Sequence, residues 1–141
     1  DAARSLGRPF VLCARADGVM NGAYDLDEAI RRVVAFEKAG ADLLYVPVPP
    51  GPDELRRVLA AVSRPVNALA VGAIARLGVP ALAAMGVRRI STGSMIARLT
   101  HAAISEAMTD ISAGNFNAFA NAASGSAINA MLAKGTGNAS Q

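Results

Sequence analysis

The chain has 141 residues, 52% of them hydrophobic, 18% charged and 4% aromatic, with a formal net charge of +3 at pH 7. That is enough chain for one domain with a sizeable core, and its arginines are scattered (Arg31-Arg32, Arg56-Arg57, Arg88-Arg89) with no basic run or interleaved aromatic platform, which speaks against a nucleic-acid partner. The single cysteine, Cys13, rules out an intrachain disulfide framework and a cysteine-rich metal site; without a recognisable signal peptide or membrane-length apolar stretch, the expected setting is the cytoplasm, with no membrane partner.

Residues 1–9 read as an irregular, polar leader. Phe10-Val-Leu-Cys-Ala-Arg-Ala-Asp17 then runs from five apolar residues into an arginine and an aspartate, and Gly18 follows. A continuous apolar run bounded by breakers predicts a strand buried on both faces of a parallel sheet. Alternation puts Val11, Cys13, Arg15 and Asp17 on one face and Leu12, Ala14 and Ala16 on the other. The two charges thus share the carboxyl end of the strand, where βα folds bind ligands. Arg15 offers a planar fork of donors for a carboxylate or phosphate. Asp17 would hold that fork, or contact a cation or substrate hydroxyl. The alternative is an internal Arg15–Asp17 pair serving only packing.

Gly18 to Tyr24 read as a loop. Asp25 is a good helix N-cap, with Glu28 completing a capping box. Leu26, Ala29, Ile30 and Val33 follow a helical period that Gly40 stops. Residues 41–46 form a second strand, ended by Pro47. Pro52 occupies a first helical position, and Leu55, Val58, Leu59 and Val62 make the apolar stripe of the next helix. A third strand spans 66–71 and a loop or turn 72–78. Pro80 opens a short helix that Gly86 ends. A fourth strand spans 87–92, and Gly93-Ser94 launches a long Ala-rich helix to about residue 113. Four strands alternating with four helices predict a parallel sheet with right-handed crossovers. The remainder, 114–141, is mostly small and polar, and Phe116, Phe119, Ile128, Met131 and Leu132 anchor one or two short helices of an arm that packs on a neighbouring surface.

Several other residues invite a functional reading. The amides around Thr92, Gly93 and Ser94 could receive an anion at a helix N-terminus, with simple capping by Thr92 or Ser94 as the plainer reading. Asn67 falls near the start of its strand and reads as a satisfied structural amide. Asp42 suits turn chemistry, Tyr45 the core or rim, and His101 the surface or packing of the long helix. The acidic pairs Asp27-Glu28 and Asp53-Glu54 open helices and complement their dipoles.

Taken in order, Phe10–Asp17, Asp25-Leu-Asp-Glu-Ala-Ile-Arg-Arg32, Ala39-Gly-Ala-Asp42, Pro65-Val-Asn-Ala-Leu-Ala70 and Leu82-Ala-Ala-Met-Gly-Val-Arg-Arg-Ile-Ser91 resemble the carboxyl-terminal half of the isocitrate lyase / phosphoenolpyruvate mutase superfamily, and in particular its phosphonomutase-like members. The resemblance implies an α/β chain holding the carboxyl-terminal half of a (β/α)8 TIM barrel, roughly strands five to eight, because a whole barrel takes about 250 residues. On that reading residues 10–113 are the partial barrel and 114–141 the helical arm and tail. The resemblance further implies Mg2+ as cofactor, a small 2-oxo or 2-hydroxy carboxylate or a phosphonate as ligand, and a homo-oligomer built through the carboxyl-terminal arm. Arg15 matches the arginine that grips the substrate anion, and Asp17 the acidic position after it. Gly93 and Ser94 are further candidates for substrate binding. The metal ligands and the gating loop of the superfamily belong to earlier strands, so none is expected in this chain, and Cys13 is a packing residue rather than the loop cysteine. Pro47 stands where lyases carry a glutamate and mutases a histidine. The leading expectation is a lyase- or mutase-type half barrel, inactive by itself, with Asp17 as the candidate catalytic group. The alternative is a noncatalytic half-barrel module that dimerises, and a third reading is a different (β/α) enzyme that binds phosphate near Gly93-Ser94.

Overall fold

Four short parallel strands, β1 (Cys13–Arg15), β2 (Leu43–Tyr45), β3 (Val66–Leu69) and β4 (Arg89–Ser91), lie side by side in chain order in the computed structural model, which describes residues 2–137. Register pairs Cys13, Ala14 and Arg15 with Leu43, Leu44 and Tyr45. Leu44 and Tyr45 pair with Val66 and Asn67, and Asn67, Ala68 and Leu69 with Arg89, Ile90 and Ser91. The predicted half-barrel order and direction are therefore found. Each strand is shorter than its apolar run, because only the ladder-bonded centre counts as strand.

The helices between the strands are α1 (Gly18–Asn21), α2 (Leu26–Lys38), α3 (Pro52–Ala61) and α4 (Val79–Ala84), followed by α5 (Met95–Ser112) and α6 (Gly125–Gly137). Helix α2 begins where its cap residues dictate: the Asp25 carboxylate accepts from the Glu28 backbone N–H at 2.9 Å. It ends at Gly40, whose φ of 92° is a left-handed conformation that side chains resist. Pro52 opens α3 and needs no donor at that first-turn position.

Alternation divides the sheet cleanly. Ala16, Leu44, Val46 and Val66 face the helices and pack with Leu26, Ala29, Val33 and Val58. Ala68 does the same with Leu55, Ile74, Leu82 and Val87. Arg15, Tyr45, Asn67 and Arg89 form one register row on the opposite face, since laterally paired residues of a sheet share a side. Tyr45 and Asn67 are buried there, on the two central strands, while Arg15 and Arg89 on the edge strands are exposed.

Side chains also tie down the amino-terminal end of the sheet. The Asp42 carboxylate accepts from Leu12 N–H at 2.9 Å, a bond to the lead-in of the neighbouring strand, 30 residues away, where a local turn role was expected. Arg4 donates to the Gly40 carbonyl at 2.8 Å. Glu37 Oε1 accepts from Ser63 N–H, Ser63 Oγ and Arg64 N–H, each at 2.8 Å. Those three donors hold the Glu37 carboxyl below its ordinary range, the Ser63 hydroxyl contributing most.

Three further local expectations change. Phe10, Val11 and Leu12 are not a doubly buried strand: they precede β1 and are 51%, 67% and 43% exposed. β1 is an edge strand with one neighbour, so its apolar lead-in is uncovered among the described residues. The leader contains a 3-10 turn at Arg4–Leu6, and the loop after β1 contains the single-turn helix α1.

The described chain separates into two compact units, one ending at Met95 and the other beginning at Ile96. The second unit comprises nearly all of α5, a 3-10 turn at Asn117–Asn121 and α6. Within it, Asp110 Oδ2 accepts from Ala118 N–H at 3.2 Å, and Phe116 and Phe119 sit with ring centroids 5.6 Å apart. Ile104, Met108, Ile128, Met131 and Leu132 are all exposed. The end of the predicted tail, 138–141, lies outside the described residues. No helix among those residues is long and apolar enough to cross a membrane.

Candidate functional site

β1 delivers Arg15 and Asp17 to its carboxyl end, and strand alternation turns both away from the helices. The structure brings the two together. Arg15 Nε and Nη2 donate to the same Asp17 oxygen, Oδ1, at 3.2 and 2.8 Å. On the neighbouring strand Tyr45 lies in register with Arg15, and the guanidinium carbon stands 4.9 Å from the Tyr45 ring centroid. Arg15 is therefore held on one edge by a carboxylate and stands over an aromatic ring. Its pKa is raised, chiefly by the hydrogen bond to Asp17.

The pair is not the buried packing device of the alternative reading. The Arg15 and Asp17 side chains are 48% and 40% exposed, and a pair so wetted adds little to stability. The geometry also leaves the guanidinium unfinished. An arginine carries five N–H donors, and Asp17 engages Nε and one hydrogen of Nη2. The Nη1–Nη2 edge, which is also suited to a bidentate carboxylate or phosphonate, keeps its donors among the described residues.

The loop that follows is tightly built. Gly18 is buried, and a Cβ there would stand 2.0 Å from the Tyr24 ring. Arg32 stacks on Tyr24 with its guanidinium carbon 4.3 Å from the ring centroid, and its Nε donates to Glu28 Oε1 at 2.8 Å. At the carboxyl end of β2, buried Pro47 precedes Val48, whose φ of 51° places a β-branched side chain in the left-handed region. Such strain costs roughly 1–2 kcal/mol and concentrates near functional ends of strands.

Gly93 and Ser94 follow β4, separated from Arg15 by two whole strands. Three strand spacings are about 14 Å, so the two candidate positions do not form one cluster. Gly93 has a φ of 55°, and a Cβ there would meet Leu69 Cδ1 at 3.2 Å, which accounts for the glycine by backbone turn and packing. His101 is exposed on α5. Asn67 departs from the satisfied amide expected of it. Its Nδ2 donates to Ser91 Oγ at 2.9 Å, but Oδ1 is buried with no partner among the described residues.

A magnesium site does not fit these residues. Among those described, no group of three or more His, Cys, Asp or Glu side chains could hold a metal ion, and Asp17 faces a guanidinium. What the constellation can do chemically is bind an anion.

The stack of Arg15 on Tyr45, the Tyr24–Gly18 contact and the strained Val48 had no signal in the linear pattern. The first needs the β1–β2 register, the second a loop that turns back on itself. Only the 2.0 spacing of Arg15 and Asp17 was readable directly.

Comparison with known proteins agrees with this fold. The family model described as phosphoenolpyruvate phosphomutase matches residues 1–112. A solved structure of a Burkholderia cenocepacia J2315 protein, provisionally described as a lyase/mutase, superposes with a TM-score of 0.85 at 40% identity, covering 94% of this chain and 48% of that one. 2,3-Dimethylmalate lyase, a member of the PEP mutase/isocitrate lyase superfamily, superposes with a TM-score of 0.65 at 25% identity, covering 79% of this chain and 39% of that one. An uncharacterised protein of Mycobacterium tuberculosis, found in two strains, is 38% identical over 71 residues, 50% of this chain and 26% of the relative. The matches thus cover 48% and 39% of the two solved relatives and 26% of the curated one, less than half of each. Its four parallel strands are part of the TIM-type barrel of such lyases, and the chain belongs to the phosphoenolpyruvate mutase/isocitrate lyase superfamily.

Proposed function

We propose that this chain supplies the anion-binding edge of a lyase- or mutase-type barrel. Arg15 binds the carboxylate or phosphonate of a small 2-oxo or 2-hydroxy acid through its open Nη1–Nη2 edge, and Asp17 holds the guanidinium in the required plane. The observation that carries the reading is the half-engaged guanidinium at a strand's carboxyl end, with Asp17 on one edge and the Tyr45 ring beneath it. A longer protein containing this half would make or break a carbon–carbon or carbon–phosphorus bond beside the bound carboxylate. The described residues contribute binding and orientation to that reaction, and the chain alone is catalytically silent. Magnesium, which the superfamily commonly uses, would have to be held by residues other than these.

The test is calorimetric titration of the full chain with malate, pyruvate and methylphosphonate. Saturable binding that Arg15→Ala abolishes supports the reading. Equal affinities for wild type and Arg15→Ala reject it.

A specific observation also favours self-association. Both edge strands, β1 and β4, pair on one side only among the described residues, and open edges invite pairing. Ile128, Met131 and Leu132 of α6 are exposed together, spaced for one helix face. A second copy of the chain, engaged through the arm, would cover that face. Sedimentation velocity should show a dimer or larger closed oligomer that Leu132→Asp dissociates; a wild-type monomer at tens of micromolar would exclude it.

A further inference from the structure

The loop after β1 holds a feature that neither the fold nor anion binding requires. The Tyr24 ring lies against Gly18 where any larger residue would carry a Cβ: the nearest ring carbons would be 2.0, 2.2 and 2.3 Å from such an atom. The same ring carries the Arg32 guanidinium, 4.3 Å from its centroid. Arg32 does not hang free. Its Nε is fixed by Glu28 Oε1, and Glu28 is fixed in turn at the start of α2, where its backbone N–H donates to Asp25. A chain of contacts therefore runs from the capped, rigid end of α2 through Arg32 and Tyr24 to Gly18. Gly18 is the residue joined to Asp17, and Asp17 is the carboxylate that holds Arg15.

The backbone around this contact repeats the same message. Asn21 N–H donates to the Asp17 carbonyl at 3.2 Å, and Ala23 N–H donates to the Gly18 carbonyl at 2.8 Å. The single turn α1 is thus wound on the two residues 17 and 18. A four-residue helix has little stability of its own, so its placement depends on what presses against it. The ring of Tyr24 is that element, half-buried against the core cluster that includes Ala16, Leu26 and Ala29.

We propose that Tyr24, packed against both Gly18 and Arg32, is the positioning residue of the Arg15 site: it sets the peptide after Asp17 and through it the plane of the Arg15 guanidinium. The inference rests on the anion-binding reading for its functional consequence, but its structural half stands in the unliganded chain. Tyr24 acts through its ring and not its hydroxyl, because both contacts are made to the ring. Gly18 is required because only a hydrogen fits beneath that ring. Sites held by packed supporting residues bind more tightly than sites left to a free loop, because less order must be imposed on binding.

The test uses the full 15N-labelled chain, with the Arg15 Nε–Hε cross-peak identified by its loss in Arg15→Lys, and malate as the probe. In the unliganded wild type that proton is held on Asp17 and its cross-peak is visible. Tyr24→Phe should keep the cross-peak and leave malate affinity within about twofold. Tyr24→Ala should lose the cross-peak to solvent exchange and weaken malate about tenfold or more, with the amide spectrum of β2 and β3 unchanged. Gly18→Ala should reproduce that defect. If Tyr24→Ala does not fold, Arg32→Ala removes one of the two ring contacts and carries the test, with a broadened cross-peak and malate weakened by roughly threefold or more. A wild-type cross-peak and affinity in folded Tyr24→Ala, or in Arg32→Ala where that one is needed, overturns the proposal. So does a Tyr24→Phe variant as defective as Tyr24→Ala. A wild type that binds no malate rejects the anion-binding reading instead, and the cross-peak in the unliganded variants still decides the positioning role.

Discussion

Replacing Arg15 with alanine separates what this residue does for folding from what it does for a ligand. Its two side-chain contacts among the described residues leave the guanidinium half exposed. The ion pair with Asp17 has partners 48% and 40% exposed, and pairs of that kind contribute about 0.2–1 kcal/mol. The stack on Tyr45, at 4.9 Å, adds roughly 0.5–1 kcal/mol for a guanidinium that remains solvated. Arg15→Ala should therefore lower unfolding free energy by no more than about 2 kcal/mol. Binding should respond differently. A carboxylate on the open edge would receive charge-assisted hydrogen bonds worth about 1.5–3 kcal/mol each, so losing even one weakens affinity by roughly 10- to 150-fold. Urea denaturation and malate calorimetry on the same preparations measure the two quantities. Arg15→Lys keeps the charge without the fork and should fall between wild type and alanine in affinity. Malate affinity that survives Arg15→Ala would refute the reasoning, as would a stability loss above about 4 kcal/mol, the range of a buried broken pair.

Other consequences follow from particular contacts. Glu37 has a lowered carboxyl pKa because Ser63 and Arg64 donate to it, so its contribution is present above the unfolded-state value and disappears as pH falls through the folded one. Glu37→Gln should accordingly be less stable than wild type near neutrality, with the urea midpoints converging as acidification protonates the carboxyl; a gap independent of pH would contradict that origin. Leu44 is fully buried between helices and sheet, and Leu44→Ala should cost about 2–5 kcal/mol. Asn67→Leu, at an equally buried position on the opposite face, should change stability by no more than about 1 kcal/mol, because it removes an orphaned oxygen together with the bond to Ser91. Val48→Gly relieves a left-handed β-branched residue and should stabilise by about 0.5–1 kcal/mol in a thermal melt; destabilisation would mean that the valine side chain packs more tightly than its exposure implies.

How much of this was legible beforehand depended on the range of the contacts. The start of α2 could be read from four adjacent residues, because the Asp25 carboxylate accepts from Glu28 N–H, although the Glu28 carboxylate meets Arg31 and Arg32 where a capping box would turn it back to Asp25. The shared face of Arg15 and Asp17 follows from strand alternation alone. Glycine and proline punctuation located α3, α4 and the strand order. Contacts that join distant segments were invisible to such reasoning. Glu37 meets Ser63 26 residues away, and Tyr45 meets Arg15 only because β1 and β2 adopt a particular register. The orphaned Asn67 oxygen has the same origin: a strand pattern says which way a side chain points, not how many partners wait there. Phe10 to Leu12 misled for a related reason, since an apolar run reveals affinity for a core but not whether an edge strand is given one.

The most direct test of the central claim is to follow the guanidinium nitrogens of Arg15 by NMR while malate is added to the full chain. A saturable, salt-weakened shift at Arg15, lost in Arg15→Lys, is the predicted result. Malate shifts confined to other arginines, such as Arg4 and Arg8, with Arg15 unmoved at saturation would contradict it.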